Sequence, residues 1–323
     1  MFIRPKDYIS IDDKLFFAVV SEYQEEDRAL TFLRYIKDEN GMQKLDTEQA
    51  SILIKASYPE LVFHSQYADI ELHGITLASI KQIFRPDQTI VRLLKMKSPD
   101  PRQQDAIKIV NLLLDAGCHQ DFMGITGSLM LDTHNVNSDI DLIIYGRERF
   151  FNAREYIKQF LESGQLNLLN ESQWREIYKR RDCTLSFEDY HVHELRKFNK
   201  CISGTSKVDI SMIPETYERY QENGPYKKMG KDKIVSTVIE DAYAYDFPAR
   251  YLIDHDTINE LVSYTATYTG QARKGEKIEA AGYVEQGSDG KNRLLVGTNR
   301  EAAGEYIRVV DQPINIVRDN SND

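Results

Sequence analysis

Residues 124–142 read GITGSLMLDTHNVNSDIDL. At their end two aspartates, Asp139 and Asp141, stand one residue apart at the head of an apolar run. On a β-strand successive side chains alternate faces, so the two acids share a face while Ile140 and Leu142 share the other. Carboxylates this close raise each other's pKa unless a cation lies between them. The chain must therefore either bathe that strand face in water or bring positive charge to it. Hard divalent cations such as Mg²⁺ take carboxylate oxygens together with substrate phosphates. Upstream, Gly127-Ser128 follows the strand FMGIT and is expected to open a short helical piece, SLMLD. Glycine permits close approach, a helix start presents free N–H groups, and serine adds a hydroxyl, all of which suit a phosphate. A third acid, Asp209, lies in the apolar β-run SKVDISMI, a costly place for an unpartnered charge. Lys207 shares its face and reads either as a phosphate contact or as an ion-pair partner of Asp209.

Gly127-Ser128, a gap of ten residues, Asp139-Ile140-Asp141 and a later acid on a strand together resemble the defining motif of the polymerase-β-like nucleotidyltransferase superfamily. The motif covers about residues 100–215. With its flanking regions the chain also looks like a group of stand-alone predicted nucleotidyltransferases of archaea. The resemblance implies an α+β nucleotidyltransferase core, a mixed sheet with flanking helices. It implies Asp139, Asp141 and Asp209 as catalytic residues and as ligands of two Mg²⁺ or Mn²⁺ ions. It places Gly127, Ser128, Ser138 and Lys207 on the nucleotide. The expected reaction moves a nucleoside monophosphate from an NTP such as ATP to an acceptor hydroxyl, with release of pyrophosphate. The acceptor is open between an RNA 3′-end such as that of tRNA, a protein side chain and a small molecule. The competing reading is a non-catalytic nucleotide- or RNA-binding regulator on the same fold, which would need no metal and release no pyrophosphate. A structural reading would make the β-rich ends assembly surfaces.

The rest of the chain bounds these readings. Its 323 residues allow two or three domains. No apolar run reaches membrane-span length, and the start MFIRPKDYISIDDKLFF lacks the apolar stretch of a secretory signal. Three cysteines without CxxC spacing argue against a disulfide framework and suit a reducing cytoplasm. A net charge of −10 disfavours broad, non-specific nucleic-acid binding. Lysines and arginines nevertheless gather between residues 179 and 233, where an anionic ligand is favoured locally.

Three regions are expected. Residues 1–98 read as an α+β accessory domain, with strands at 14–20 and 29–36, helices at 47–56 and 75–84, and no catalytic constellation. Residues 99–254 read as the nucleotidyltransferase domain. Asp100 and Pro101 start a helix that Gly117 stops; strands follow at 122–126, 138–146 and 206–213, helices at 147–163 and 171–181, and one more strand at 234–241. Residues 255–323 read as a small all-β barrel or sandwich, OB-like, with the tail NIVRDNSND frayed. Weaker candidates are His191 and His193, which share a face if YHVHEL is a strand, and Arg196 and Lys197 within reach of phosphate. His134 falls near the mouth of the site. Tyr264, Tyr268, Tyr283 and Tyr306 read as either base-stacking platforms or core.

Overall fold

The computed structural model describes residues 2–66, 70–220, 225–298 and 302–310; the tail expected to fray, 315–323, lies outside them. The fold is α+β and divides into two compact units, Met1–Tyr156 with Ile202–Ile213 and Ile157–Cys201 with Pro214–Asp323. The breaks read from the sequence, after residues 98 and 254, lie inside these units.

The first unit begins with an antiparallel sheet of β1 (Tyr8–Ser10), β2 (Leu15–Glu25), β3 (Arg28–Asp38), β4 (Gly41–Lys44), β5 (Val62–Ser65), β6 (Ile70–Thr76) and β7 (Gln82–Phe84). Their order is β5-β6-β3-β2-β1-β7, with β4 also on β3. Helix α1 (Thr47–Ser57) is started by an Asp46–Gln49 capping box and buries Ala50 and Ile54. These pack with Ile9, Phe17, Val19, Leu33 and Ile75 of the sheet. The helix expected at 75–84 does not form. Ile75 and Thr76 pair with Ala29 and Arg28 at the end of β6, and Phe84 pairs with Tyr8. Sheet pairing and the β-branched Ile75, Thr76, Ile80 and Ile83 outweigh the helix-like spacing. Helix α2 (Pro86–Leu94), absent from the sequence reading, opens on a proline at its first turn.

Helix α3 (Pro101–Asp115) starts as expected, with Asp100 and Gln103 forming a capping box. Then come β8 (Met123–Thr126), β9 (Ile140–Tyr145), α4 (Arg147–Glu162), α5 (Glu171–Arg181), α6 (Phe187–Leu195), β10 (Lys200–Ser203) and β11 (Ser206–Ile213). A mixed sheet runs β10-β11-β9-β8, with β11 parallel and β8 antiparallel to β9. Helix α2 packs on β8 and α3 on β11. Three local expectations change. SLMLD is a run of hydrogen-bonded turns, bracketed by positive φ at Gly127 and Asp132, and no helix. Strand β9 begins at Ile140, so Ser138 and Asp139 belong to the loop before it. YHVHEL lies in α6: Ser186 caps that helix by accepting the Asp189 N–H, and Tyr190, His193 and Glu194 are buried at helical spacing.

The second unit carries α5, α6 and a sheet of β12 (Tyr226–Glu240), β13 (Ala249–Asp254), β14 (Glu260–Ser263), β15 (Lys277–Gly287), β16 (Asn292–Val296) and β17 (Tyr306–Val309). The order is β12-β13-β14-β16-β15-β17, and β12 also pairs with β15. Five strands therefore close on themselves, while residues 226–236 of β12 pair only with β15 among the described residues. Only β14 and β16 are parallel among the pairings of this sheet in the described residues. The strand expected at 234–241 is the second half of β12, bent by irregularities at 228–230 and 238–240. No helix among the described residues is long and apolar enough to cross a membrane.

Candidate functional site

The site is built by strand register. Asp209 on β11 lies opposite Asp141 on β9, and Thr126 on β8 lies opposite Asp141 from the other side. Thr126, Asp141 and Asp209 thus form a row across three neighbouring strands on one face. Further along that face, Ile143, Tyr145 and Ile213 make an apolar cluster. The opposite face buries Ile140, Leu142, Val208 and Ile210. Asp139 immediately precedes β9. Its Oδ1 is buried and accepts no hydrogen bond, and the Lys207 ammonium lies 3.4 Å away. The half-buried Asp141 carboxyl is pushed up to about 6. Burial is the largest cause and Asp209 the next; Asp139 adds to them, while Lys6 and Lys44 oppose. Gly127, at φ 69°, leaves room for this carboxyl: a Cβ there would stand 2.5 Å from Asp141 Oδ2. Among the described residues, no three His, Cys, Asp or Glu side chains are gathered tightly enough to hold a metal ion by themselves.

The loop between the Gly-Ser pair and the aspartates is held at several points. Met130 and Leu131 N–H donate to the Gly127 carbonyl at 3.2 and 3.3 Å, and Thr133 N–H donates to the Ser128 carbonyl at 2.9 Å. The N–H groups of Ser128 and Leu129 are not among the donors of this turn. Arg92 of α2 donates to the carbonyls of Leu129 (2.7 Å) and Met130 (3.3 Å) and pairs with Asp132. Arg102 of α3 donates to the Val136 carbonyl. His134 Nε2 lies 2.7 Å from Asp100 Oδ2. Against a burial penalty, the Gln103 N–H and His134 keep the Asp100 carboxyl below its ordinary value. Ser138 Oγ accepts the Asn135 N–H at 2.9 Å, and its own N–H donates to the Asn135 carbonyl at 3.0 Å. Ser138 and His134 therefore shape the loop that presents Asp139.

Sequence reasoning missed the contribution of residues 1–98. Thr126 Oγ1 donates to the Lys6 carbonyl at 2.7 Å. The Arg4 guanidinium stacks 4.3 Å over the Tyr145 ring. Tyr8, Phe16 and Tyr35 pack with Met130 of the loop. The Tyr8 and Tyr35 phenols are pushed up, foremost by burial, and the Asp141 charge contributes to both. No local pattern marks these residues, since they reach the site through pairings remote in sequence.

Other candidates have structural partners in the second unit. His193 lies with Nδ1 2.6 Å from the Asp189 carbonyl, and its Nε2 accepts the Val309 N–H at 3.1 Å. With both ring nitrogens engaged and burial lowering its pKa to about 4, it serves packing. His191 stacks on Phe187 at 5.4 Å and lies 5.6 Å from Trp174. Arg196 pairs with Glu276, and Lys197 with Glu194 and the Thr267 carbonyl. Tyr268 is core, its hydroxyl donating to the Glu305 carbonyl at 3.0 Å. Tyr306 donates to Glu279 at 2.7 Å, Tyr264 meets Phe247 edge-on, and Tyr283 lies beneath Lys231.

Fold and site define an α+β protein with a row of acids on a mixed sheet, facing a Gly-Ser turn, and a closed β-barrel in a second unit. The chain belongs to one family with the uncharacterized protein MJ1086 of Methanocaldococcus jannaschii: the two are 31% identical over 338 residues, covering 96% of this chain and 99% of the relative. No family model matches the chain, and no solved structure matches it.

Proposed function

We propose that the protein is a metal-dependent nucleotidyltransferase of the polymerase-β-like superfamily. The observation that carries this reading is the in-register pair Asp141–Asp209, joined by Asp139 and faced by Gly127. A divalent cation fits the donor set. Asp139 Oδ1 has no hydrogen bond and the Asp141 carboxyl is held up near 6. The Lys207 ammonium 3.4 Å from Asp139 Oδ1 answers part of this charge, and the raised Asp141 carboxyl marks what is left unanswered. The three acids form no closed cage, and Mg²⁺ is commonly held by one or two carboxylates plus substrate phosphates. Asp139, Asp141 and Asp209 would hold Mg²⁺ or Mn²⁺, which when bound neutralises phosphate oxygens and lowers the pKa of an attacking hydroxyl.

The chain's own groups divide the remaining work. Gly127 lets a phosphate approach the backbone, and the Ser128 hydroxyl with the Ser128 and Leu129 N–H groups donates to its oxygens. Lys207 steadies Asp139 and is within reach of the same anion. Asp209 takes the proton of the acceptor hydroxyl. The acceptor oxygen bonds to the α-phosphorus of the NTP, the bond from that phosphorus to the bridging oxygen breaks, and pyrophosphate leaves.

An RNA 3′-end is the acceptor this reading favours. Five strands closed in the order β12-β13-β14-β16-β15, with one parallel pair, correspond to an OB-like barrel, a fold that carries oligonucleotides on its outer face. Lys227, Lys228, Lys231 and Lys233 are exposed along β12, and Tyr264 and Tyr283 are half-exposed. Cations and aromatic faces of this kind hold single strands.

The test supplies each labelled NTP with Mg²⁺ and total RNA or total protein. The expected result is label in RNA, release of pyrophosphate, and loss of both in Asp139→Ala/Asp141→Ala. Undiminished labelling by that variant sinks the assignment. Binding of nucleotide or RNA with neither metal dependence nor pyrophosphate release establishes the non-catalytic regulator instead.

A further inference from the structure

We infer that the N-terminal sheet is the polyphosphate-binding wall of this site, with Lys6 and Lys44, assisted by Arg34, gripping the β- and γ-phosphates of a metal-bound triphosphate. The inference rests on the nucleotidyl-transfer reading for its ligand, and on separate geometry for its residues.

That geometry begins with the chain's first segment. Arg4 lies over Tyr145, and the Lys6 carbonyl accepts from Thr126, so residues 4–6 run along the face that carries the acids. Thr126 is the register partner of Asp141, which places Lys6 beside the acid row. The Lys6 backbone is fixed by its N–H bond to the Val19 carbonyl at 2.9 Å. Lys44 is brought in from a second direction. It ends β4 opposite Tyr35, whose phenol lies beside Thr133 of the loop, and Arg34 lies beside the Tyr8 phenol. Tyr8 and Tyr35 pack on Met130, which fixes this part of the sheet against the Gly-Ser turn.

Of the charges on this wall, Arg34 is hydrogen-bonded to the Tyr8 phenol. Lys6 and Lys44 are exposed, both act on Asp141, and among the described residues neither forms an ion pair. One buried oxygen at the same place, Asp139 Oδ1, accepts no hydrogen bond and has the Lys207 ammonium 3.4 Å away. A metal-bound triphosphate suits both, with a cation for the acids and anionic oxygens for the lysines. It also retains net negative charge, which three aspartates alone would repel. Lys6, Arg34, Lys44 and Lys207 provide the opposing charge. A nucleoside or nucleoside monophosphate, lacking the β- and γ-phosphates, would leave this wall unused.

Calorimetry on the full chain tests the wall, with Ca²⁺ in place of Mg²⁺ to hold back turnover. The probes are ATP, inorganic tripolyphosphate and AMP. The variants are Lys6→Gly, which keeps a residue at ease with the φ of 72°, Lys44→Ala, and their combination; Lys37→Ala on β3 is the control. Each site variant is expected to weaken ATP and tripolyphosphate about tenfold, as loss of one close charge does, and to leave AMP unchanged. Lys44→Arg should restore most of the loss at its position. ATP and tripolyphosphate bound equally by wild type and double variant overturns the wall, as does an equal loss for AMP. Lys6- and Lys44-dependent binding of tripolyphosphate without any nucleotide transfer keeps the wall and removes the transferase. Transfer with an unchanged KM for NTP in the double variant keeps the transferase and removes the wall. A wild type that binds neither ATP nor tripolyphosphate removes the wall as well.

Discussion

Two withdrawn carboxylates, Asp141 in the first unit and Glu194 in the second, have opposite fates. Burial would raise the pKa of either. At Glu194 two ammonium groups overcome it: Lys197 bonds one carboxylate oxygen and Lys200 the other, at 2.7 Å, and the carboxyl is pulled well below its ordinary value. At Asp141 the nearest help comes from exposed lysines, while Asp209 and Asp139 repel it, and the carboxyl is held up. Glu194 is a completed ion cluster that ties α6 into its unit. Asp141 belongs to a cluster the protein leaves short of positive charge. Burial alone does not separate the two; the supply of counter-charge does.

The largest expected effect breaks the structural side of this contrast. Glu194→Gln strands two buried ammonium groups and should lower stability by roughly 3–5 kcal/mol, read from chemical denaturation; an unchanged midpoint would mean that the cluster does not hold the unit. Next, Asp141→Asn should reduce nucleotidyl transfer on the order of 10²–10³-fold, equivalent to about 3–4 kcal/mol, while leaving metal-free stability equal or higher. A fall in activity matched by a fall in stability would place Asp141 with Glu194. Third, Mg²⁺ at a hundredfold excess over its Kd should stabilise the wild type by about 2.7 kcal/mol. The same addition should do nothing for Asp139→Ala/Asp141→Ala, and thermal melts with and without chelator measure both.

The smallest effect sharpens the contrast through pH. Asp141 is raised in the fold from 3.8 to about 6, so its contribution to metal-free stability is fully present below pH 3.8 and is lost as pH rises through about 6. The shift corresponds to roughly 3 kcal/mol at 1.36 kcal/mol per unit, and to about 2 kcal/mol once partial exposure is discounted. Asp7, also raised to about 6 and foremost by burial, has the same sign. Glu194 has the opposite sign: its contribution is present above pH 4.5 and lost as pH falls. His73 and His193, both lowered to about 4 by burial, oppose the loss at Asp141 and Asp7 as pH rises. The test is therefore a difference: urea denaturation from pH 4.5 to 7.5 in chelator should show wild type losing stability toward neutrality relative to Asp141→Asn, which retains Asp7 and both histidines. A slope that the substitution leaves untouched would remove Asp141 from the explanation.

Much of the acid row was legible because its signals are local. Alternation marks Asp141 on one face of an apolar strand, although Asp139 falls in the loop just before it, and Asp209 stands out as a lone charge among Val208 and Ile210. The start of α3 was legible for the same reason, because Asp100, Pro101 and Gln103 are adjacent in the chain. Residues 75–84 and YHVHEL were misread because short apolar patterns suit both helix and strand until partners decide. Lys6 and Lys44 were invisible for a different reason. Thr126 and Lys6 are 120 residues apart, and nothing near Lys6 announces the strand it will lie against.

The grip of Arg92 on the Gly-Ser loop bears on how such a protein can be inherited. Residues 97–101 look like a seam, with prolines inviting a cut. Yet Arg92 before the seam clasps Leu129, Met130 and Asp132, while Asp100 and Arg102 clasp His134 and Val136. A gene fragment beginning at the seam would encode the acids without half of what fixes their loop. The core is therefore not a portable cassette: in recombination, its first hundred or so residues must travel with it.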